Sequence, residues 1–293
     1  MTSPGTRPTA GTLTAEMLAL IDRVEALGPL PPVAALHLPS PEAGGTRDGE
    51  FCAVELADGS LGLSYVLLGD TLPALLAARP GASLAGMPAR ELAGWYADPD
   101  PVRRTLGFAA VNAISQRFLK ASGHAFDWSV DSIGLLDPQP GERIGMVGLF
   151  RGLVERIVGE GAHLTVLELK PELAGEFDGW RVTVDPADLA GCTKVLSTTT
   201  ILLNDTVEQV LAACAGARYL ALVGPGGGCL PDPLFARGVT VLGGSAIVDR
   251  DGFVAAMSRG ESWSPFARKY CIVAGRYPGF DALARRLASG REA

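Results

Sequence analysis

The residues of this 293-residue chain with chemistry to offer gather in short polar runs, each placed just after an apolar one. "VGLF" brings Gly148 and Phe150, with Arg151 following; "LELK" ends on Glu168 and Lys170; "TTTILLNDT" supplies Thr198, Thr199, Thr200, Asn204 and Thr206. "LVGPGGGCLPDPLF" (222–235) lays out Gly224, Pro225, Gly226, Gly227 and Gly228 before the thiol of Cys229, and "VTVLGGS" adds Gly243, Gly244 and Ser245. Hydroxyls and amides of this kind hydrogen-bond a polar ligand, and glycine lets it approach the backbone.

Each group also has a plain structural reading. Glu168 stands 20 residues after Gly148, where an adenosine-binding unit places an acid against the ribose hydroxyls; it could equally pair with Lys170 or Arg181. The first turn reads "GLFRGL", not G-x-G-x-x-G, and no G-x-x-x-x-G-K-[ST] occurs, so dinucleotide binding is poorly supported. Capping a helix explains one of Asn204 and Thr206, not the whole polar run. Cys229 is a soft metal ligand or nucleophile if exposed and an inert apolar residue if packed, the commoner fate of cysteine. Asn112, in "GFAAVNAISQRF", either bonds neighbouring backbone or points into a cleft.

Metal and hydrolase motifs are absent. His37, His124 and His163 have no His or Cys three or four residues away. The five cysteines form no C-x-x-C pair, and there is no G-x-S-x-G elbow. Of the histidines, His124 is best placed to reach a cleft between domains. The residues offer no general base.

Two grammars position these groups. Up to about residue 123, "LTAEMLALIDRVEAL" has helical spacing, "VAALHL" and "EFCAVELADGSLGLSYVLL" read as strands with a hairpin at Asp58-Gly59, and Asp100-Pro101 opens a long helix. Beyond Arg143, strand and helix alternate: "RIGMVGLF", "RGLVERIVGEG", "HLTVLELK", "TKVLSTTTILLN", "DTVEQVLAACAG", "RYLALVGP", "VTVLGG". The fold class is therefore α/β, a Rossmann-like parallel sheet preceded by a smaller α+β domain. Ligands of such sheets sit at the carboxyl ends of the strands, where the polar runs fall.

Net charge is −7, from 25 basic and 32 acidic residues, which argues against nucleic acid or an anionic membrane as partner. The N-terminus lacks the pattern of a secretory signal and no 18-residue apolar run occurs, so a cytoplasmic protein is expected. The oligomeric state, a homo-oligomer included, is left open.

"AAVNAIS", "VGLF", Glu168, "TTTILLNDT", "LVGPGGGCLPDPLF" and "GVTVLGGSAIVDRDGF" together resemble the "putative heavy-metal chelation" domain family. The resemblance runs from about Leu13 to Ala274. It implies an enolase N-terminal-like domain at 13–123, a linker at 124–142, and a Rossmann-like domain at 143–288. It also implies a site between the two, near Asn112, Glu168, Asn204, Thr206, Gly224 and Pro225. Where relatives tend towards T-G-T-T-x-x-N-G-T and G-P-S, this chain has Thr199 and Asp205 for glycines, Ile201 for a threonine, and Gly226 for the serine.

The expected function is binding of a small molecule, as an enzyme or otherwise, with a cleft for a polar metabolite or an adenosyl-type cofactor such as S-adenosylmethionine. The ligand-binding candidates are Asn112, Gly148, Phe150, Glu168, Thr198, Thr200, Asn204, Thr206, Gly224, Pro225, Gly226, Gly227 and Cys229. The alternative is a divalent transition metal, or its chelate, held through Cys229, Glu168 and His124.

Overall fold

The computed structural model describes residues 11–40, 47–128 and 134–289. Thr12 caps the first helix, Leu13–Ala26 (α1), accepting from the Ala15 amide, and the helix buries Leu13, Met17, Leu20, Ile21 and Val24 along one stripe. Strands Val33–His37 (β1), Phe51–Leu56 (β2) and Leu61–Tyr65 (β3) form an antiparallel sheet in that order. The β2–β3 hairpin turns at Asp58-Gly59, with Gly59 at φ 82°.

Helices Thr71–Ala78 (α2), Gly81–Leu84 (α3) and Ala89–Gly94 (α4) lead to Pro101–Ala121 (α5). Asp100 caps α5 by accepting from the Arg103 amide at 2.9 Å, with proline at its first position. Every residue from Thr105 to Ser115 is buried, because β3 covers one side and the larger sheet's loops cover another. The contact with β3 is backbone to backbone: a Cβ on Gly62 would lie 2.1 Å from the Ala113 nitrogen.

The larger sheet takes Arg143–Val147 (β4), then Arg151–Gly159 (α6), His163–Leu167 (β5), Gly175–Phe177 (β6), Trp180–Thr183 (β7) and Lys194–Thr198 (β8). Val207–Ala213 (α7), Tyr219–Val223 (β9), Asp232–Phe235 (α8), Val241–Ile247 (β10), Arg250–Arg259 (α9), Ala267–Val273 (β11) and Phe280–Ser289 (α10) complete it. The order is β11-β10-β9-β8-β4-β5-β7-β6, parallel except for the two edge strands. Chain order moves outward from β4 to β5 and β7, then resumes on the other flank with β8, β9 and β10. The reversal opens a crevice beyond the carboxyl ends of β4 and β8, where open α/β sheets bind ligands.

The β6–β7 hairpin escapes the strand-and-helix alternation; its strands are short, and Phe177 stacks on Trp180 with centroids 4.2 Å apart. One apolar cluster runs from α1, β2 and α5 to Leu202, Leu230, Leu242, Tyr270 and Phe280, so the two sheets share a core. Among the described residues, no helix is long and apolar enough to cross a membrane.

Candidate functional site

A cleft of about 800 Å³ lies at the β4/β8 crevice, within the size range of small-molecule sites. Its floor is the strand ends: Phe150 and the start of α6 at Arg151 and Gly152, then Thr198–Thr200, Gly224-Pro225 and Gly243–Ser245. Its opposite wall comes from elsewhere, with Glu50 just before β2, Phe51 and Tyr65 from the small sheet, Trp128, and Lys269–Cys271 on β11.

Gly148 turns at φ 82°, bringing the chain against Thr198; a Cβ there would lie 3.2 Å from the Thr198 methyl. The Thr198 hydroxyl is 3.0 Å from that of Thr200 and accepts from the Thr200 amide at 3.2 Å. Thus Phe150, Thr198, Thr200, Gly224 and Pro225 line the cleft, as Thr199 does, and Gly148 shapes it.

Glu168 stands beside the cleft. Its carboxylate accepts from the Leu149 amide at 3.1 Å and the Leu169 amide at 2.9 Å. It pairs with neither Lys170 nor Arg181, and Arg181 is engaged by Asp188 at 3.0 Å. Its charge reaches Tyr65, whose phenol is pushed up by burial first, then by Glu50 and Glu168. The next turn amide, of Phe150, points at the Met146 sulfur at 3.4 Å. The Leu149 and Phe150 amides are thus turned towards Glu168 and Met146.

Other candidates lie away from the cleft. Cys229 is 1% exposed, and burial pushes its thiol up to about 12, so at neutral pH it is a packed, protonated thiol. Gly226, Gly227 and Gly228 are buried with it, and what their bareness admits is protein. A Cβ on Gly227 would lie 2.4 Å from the Gly243 carbonyl oxygen, and one on Gly228 would lie 3.0 Å from the Asn112 Cβ. The Tyr270 hydroxyl donates to the Gly227 carbonyl and accepts from Gln116 Nε2, both at 2.9 Å.

Asn112 is fully buried and takes the backbone role: its amide group donates to the Leu63 carbonyl at 2.7 Å and the Gly226 carbonyl at 3.0 Å. Two carbonyl partners fix the amide's orientation and leave Oδ1 without a hydrogen bond. Asn204 and Thr206 serve each other, the Thr206 hydroxyl donating to Asn204 Oδ1 at 2.6 Å. Between them Asp205 occupies φ 60°, the left-handed region that a glycine fills without strain, and pairs with Arg104.

His124 faces a second cavity, of about 480 Å³, that shares Trp128 and Cys271 with the cleft. It packs edge-on to Phe126 and Tyr277; burial, then Arg286, lowers its pKa, so the imidazole is neutral at pH 7. The expected metal set of Cys229, Glu168 and His124 is not assembled. Among the described residues, no three His, Cys, Asp or Glu side chains gather as metal ligands.

The cleft's charges include two cations without a carboxylate partner among the described residues, Arg151 and Lys269. Arg151 follows from the strand-end rule. Lys269, Trp128, Phe51 and Tyr65 come from segments that no strand-end rule covers, and they were not expected.

Two family profiles match the sequence, both described as "Putative heavy-metal chelation", one over residues 131–274 and the other over 49–115. The chain belongs to this family. A curated relative, the uncharacterized protein MJ0500 of Methanocaldococcus jannaschii, is 31% identical over 156 residues, a match spanning 52% of this chain and 58% of the relative. Two solved structures of the family, both of unknown function, have a similar fold. The one from Desulfitobacterium hafniense has a TM-score of 0.67 at 23% identity, covering 88% of this chain and 98% of that one. The one from Pyrococcus horikoshii has a TM-score of 0.65 at 20% identity, covering 89% and 100%.

Proposed function

We propose that the cleft binds a small anionic organic molecule, and that the heavy metal of the family's description reaches it as cargo already wrapped in such a molecule. The observation that carries this reading is the pair Arg151 and Lys269, two cations without a carboxylate partner among the described residues, on a cleft where one acid, Glu50, stands among threonine and serine hydroxyls, aromatic rings and bare glycine backbone. A bare transition-metal ion calls for converging carboxylate, imidazole or thiolate donors, and Cys229 and His124 do not supply them here. A chelated metal brings its own donors and presents the protein with carboxylates, which arginine, lysine and hydroxyls recognise.

An adenosyl-type cofactor such as S-adenosylmethionine is the second reading, favoured by Glu168. Its carboxylate is pinned by two amides beside the β4 turn, and lone pairs remain for a ribose hydroxyl or an ammonium group. The cations then meet the cofactor's carboxylate.

Equilibrium dialysis separates these readings. Nickel supplied as the nitrilotriacetate complex is expected to be retained in a one-to-one ratio with protein, whereas nickel ion alone is not. Retention of the bare ion with no gain from the chelator contradicts the proposal. Retention of S-adenosylmethionine that Glu168→Gln abolishes, without any of the chelate, selects the second reading.

A further inference from the structure

Five of the twenty residues lining the cleft are aromatic, in a chain that is 6% aromatic. Phe51 and Tyr270 are buried and act as backing. Phe51 meets Tyr65 edge-on, with centroids 5.6 Å apart. Tyr270 meets Trp128 edge-on at 6.2 Å, Phe126 packs beside the indole at 5.3 Å, and the Arg268 guanidinium lies 4.8 Å from its centroid. Three neighbours thus hold an indole that is still 38% exposed and lines the cleft. A large side chain packed on three neighbours yet still open to solvent is a platform whose ordering cost is partly met before any ligand arrives.

We infer that the cleft selects ligands in which a planar aromatic ring carries the anionic group, with Trp128 and Tyr65 contacting the ring while Arg151 and Lys269 meet the carboxylates. The inference rests on the anionic-ligand reading above and goes beyond it by naming the ligand class, an aromatic carboxylate or its metal chelate. Aliphatic chelators satisfy the cations and leave the rings in water. An aromatic one also gains offset or edge-to-face contact with the indole and the phenol, worth about 1 kcal/mol beyond area burial, or about fivefold in affinity. The Tyr65 phenol, already protonated at neutral pH and pushed further up by burial, Glu50 and Glu168, has a hydroxyl proton to offer a ligand carboxylate.

The test uses two chelators with the same donors, one nitrogen and two carboxylates: pyridine-2,6-dicarboxylate, which is planar and aromatic, and iminodiacetate, which is not. Their bis complexes with nickel both carry two negative charges and are titrated calorimetrically into the full chain. The expected result is at least about fivefold tighter binding of the pyridine complex, a preference that Trp128→Leu abolishes while iminodiacetate affinity, the folding control, is unchanged. Equal affinity for the two complexes overturns the ring inference and leaves the anionic-chelate reading standing. Binding of neither overturns that reading itself. A preference that survives both Trp128→Leu and Tyr65→Leu overturns the assignment of the ring contacts.

Discussion

Replacing Gly227 by alanine tests whether the bare loop after β9 exists to pack against protein. Gly227 has no positive φ, so the substitution adds steric crowding and no backbone strain. Its new methyl would lie 2.4 Å from the Gly243 carbonyl oxygen and 3.3 Å from that of Gly224. Carbon and oxygen rarely close below about 3.3 Å, so β10 or the loop must shift by about 0.9 Å. At stake are the Tyr270 hydroxyl bond to the Gly227 carbonyl and the bond from the Gly224 amide to the Gly243 carbonyl, 2.9 and 3.2 Å long. Overpacking of about 1–3 kcal/mol plus one weakened hydrogen bond of about 1 kcal/mol gives a loss of about 2–4 kcal/mol. For a chain of this size that is a fall in Tm of about 3–7 °C. Scanning calorimetry with denaturant titration reads it, and two controls separate the causes. Gly238→Ala, at φ 91° with open space around it, costs only the left-handed penalty of about 1–2 kcal/mol. Gly152→Ala, within α6 and facing open cleft, stabilises by up to about 1 kcal/mol and weakens ligand binding. A Gly227→Ala protein that melts within 2 °C of the parent, a margin of roughly 1 kcal/mol, refutes the packing role.

The five cysteines are all buried and free, so Ellman's reagent at pH 8 is expected to label none quickly in the native protein and all five in guanidinium; fast labelling of Cys229 contradicts its placement. Asn112→Leu strands the Leu63 and Gly226 carbonyls, a cost of about 2–4 kcal/mol measured by urea titration, with partial compensation from removing the orphaned Oδ1. Glu142 gives a pH signature. Burial disfavours its charge, but Lys194, Thr193, Arg218 and the Gln139 amide together outweigh that and hold the carboxyl at about 2, below its ordinary 4.5. A depressed folded pKa contributes stability that is complete above pH 4.5 and lost as pH falls through about 2. Solvent screening at the exposed Arg218 reduces this to about 1–2 kcal/mol, and Glu142→Gln is expected to flatten the stability curve in that window by this amount.

The fold was largely readable because its signals are local. Asp58-Gly59 announces a hairpin, Asp100-Pro101 a helix start, and the apolar runs ending at Val147, Leu167, Thr198 and Val223 a parallel sheet. The same strand-end logic reaches Gly148, Phe150, Thr198, Thr200, Gly224 and Pro225. It fails from the next residue, at Gly226 to Cys229, because glycine serves a close protein contact as readily as a ligand and the sequence does not say which neighbour is near. Asn204 and Thr206 mislead for a related reason: a short polar turn spends its side chains on itself. The opposite wall was illegible, since Tyr65, Trp128 and Lys269 belong to three separate segments and meet the strand ends only through the long-range packing of α5 and β11. The β6–β7 hairpin was missed because three- and four-residue strands carry too little periodicity.

The central claim is that Arg151 and Lys269 bind an anionic ligand in the cleft, and calorimetric titration of nickel nitrilotriacetate into the parent and the Arg151→Gln/Lys269→Gln protein tests it most directly. Both side chains are exposed and unpaired among the described residues, so the double variant is expected to keep the parent's Tm. Loss of two charge-assisted contacts is expected to weaken binding by at least about thirtyfold. Equal affinity for the chelate in the two proteins contradicts the account.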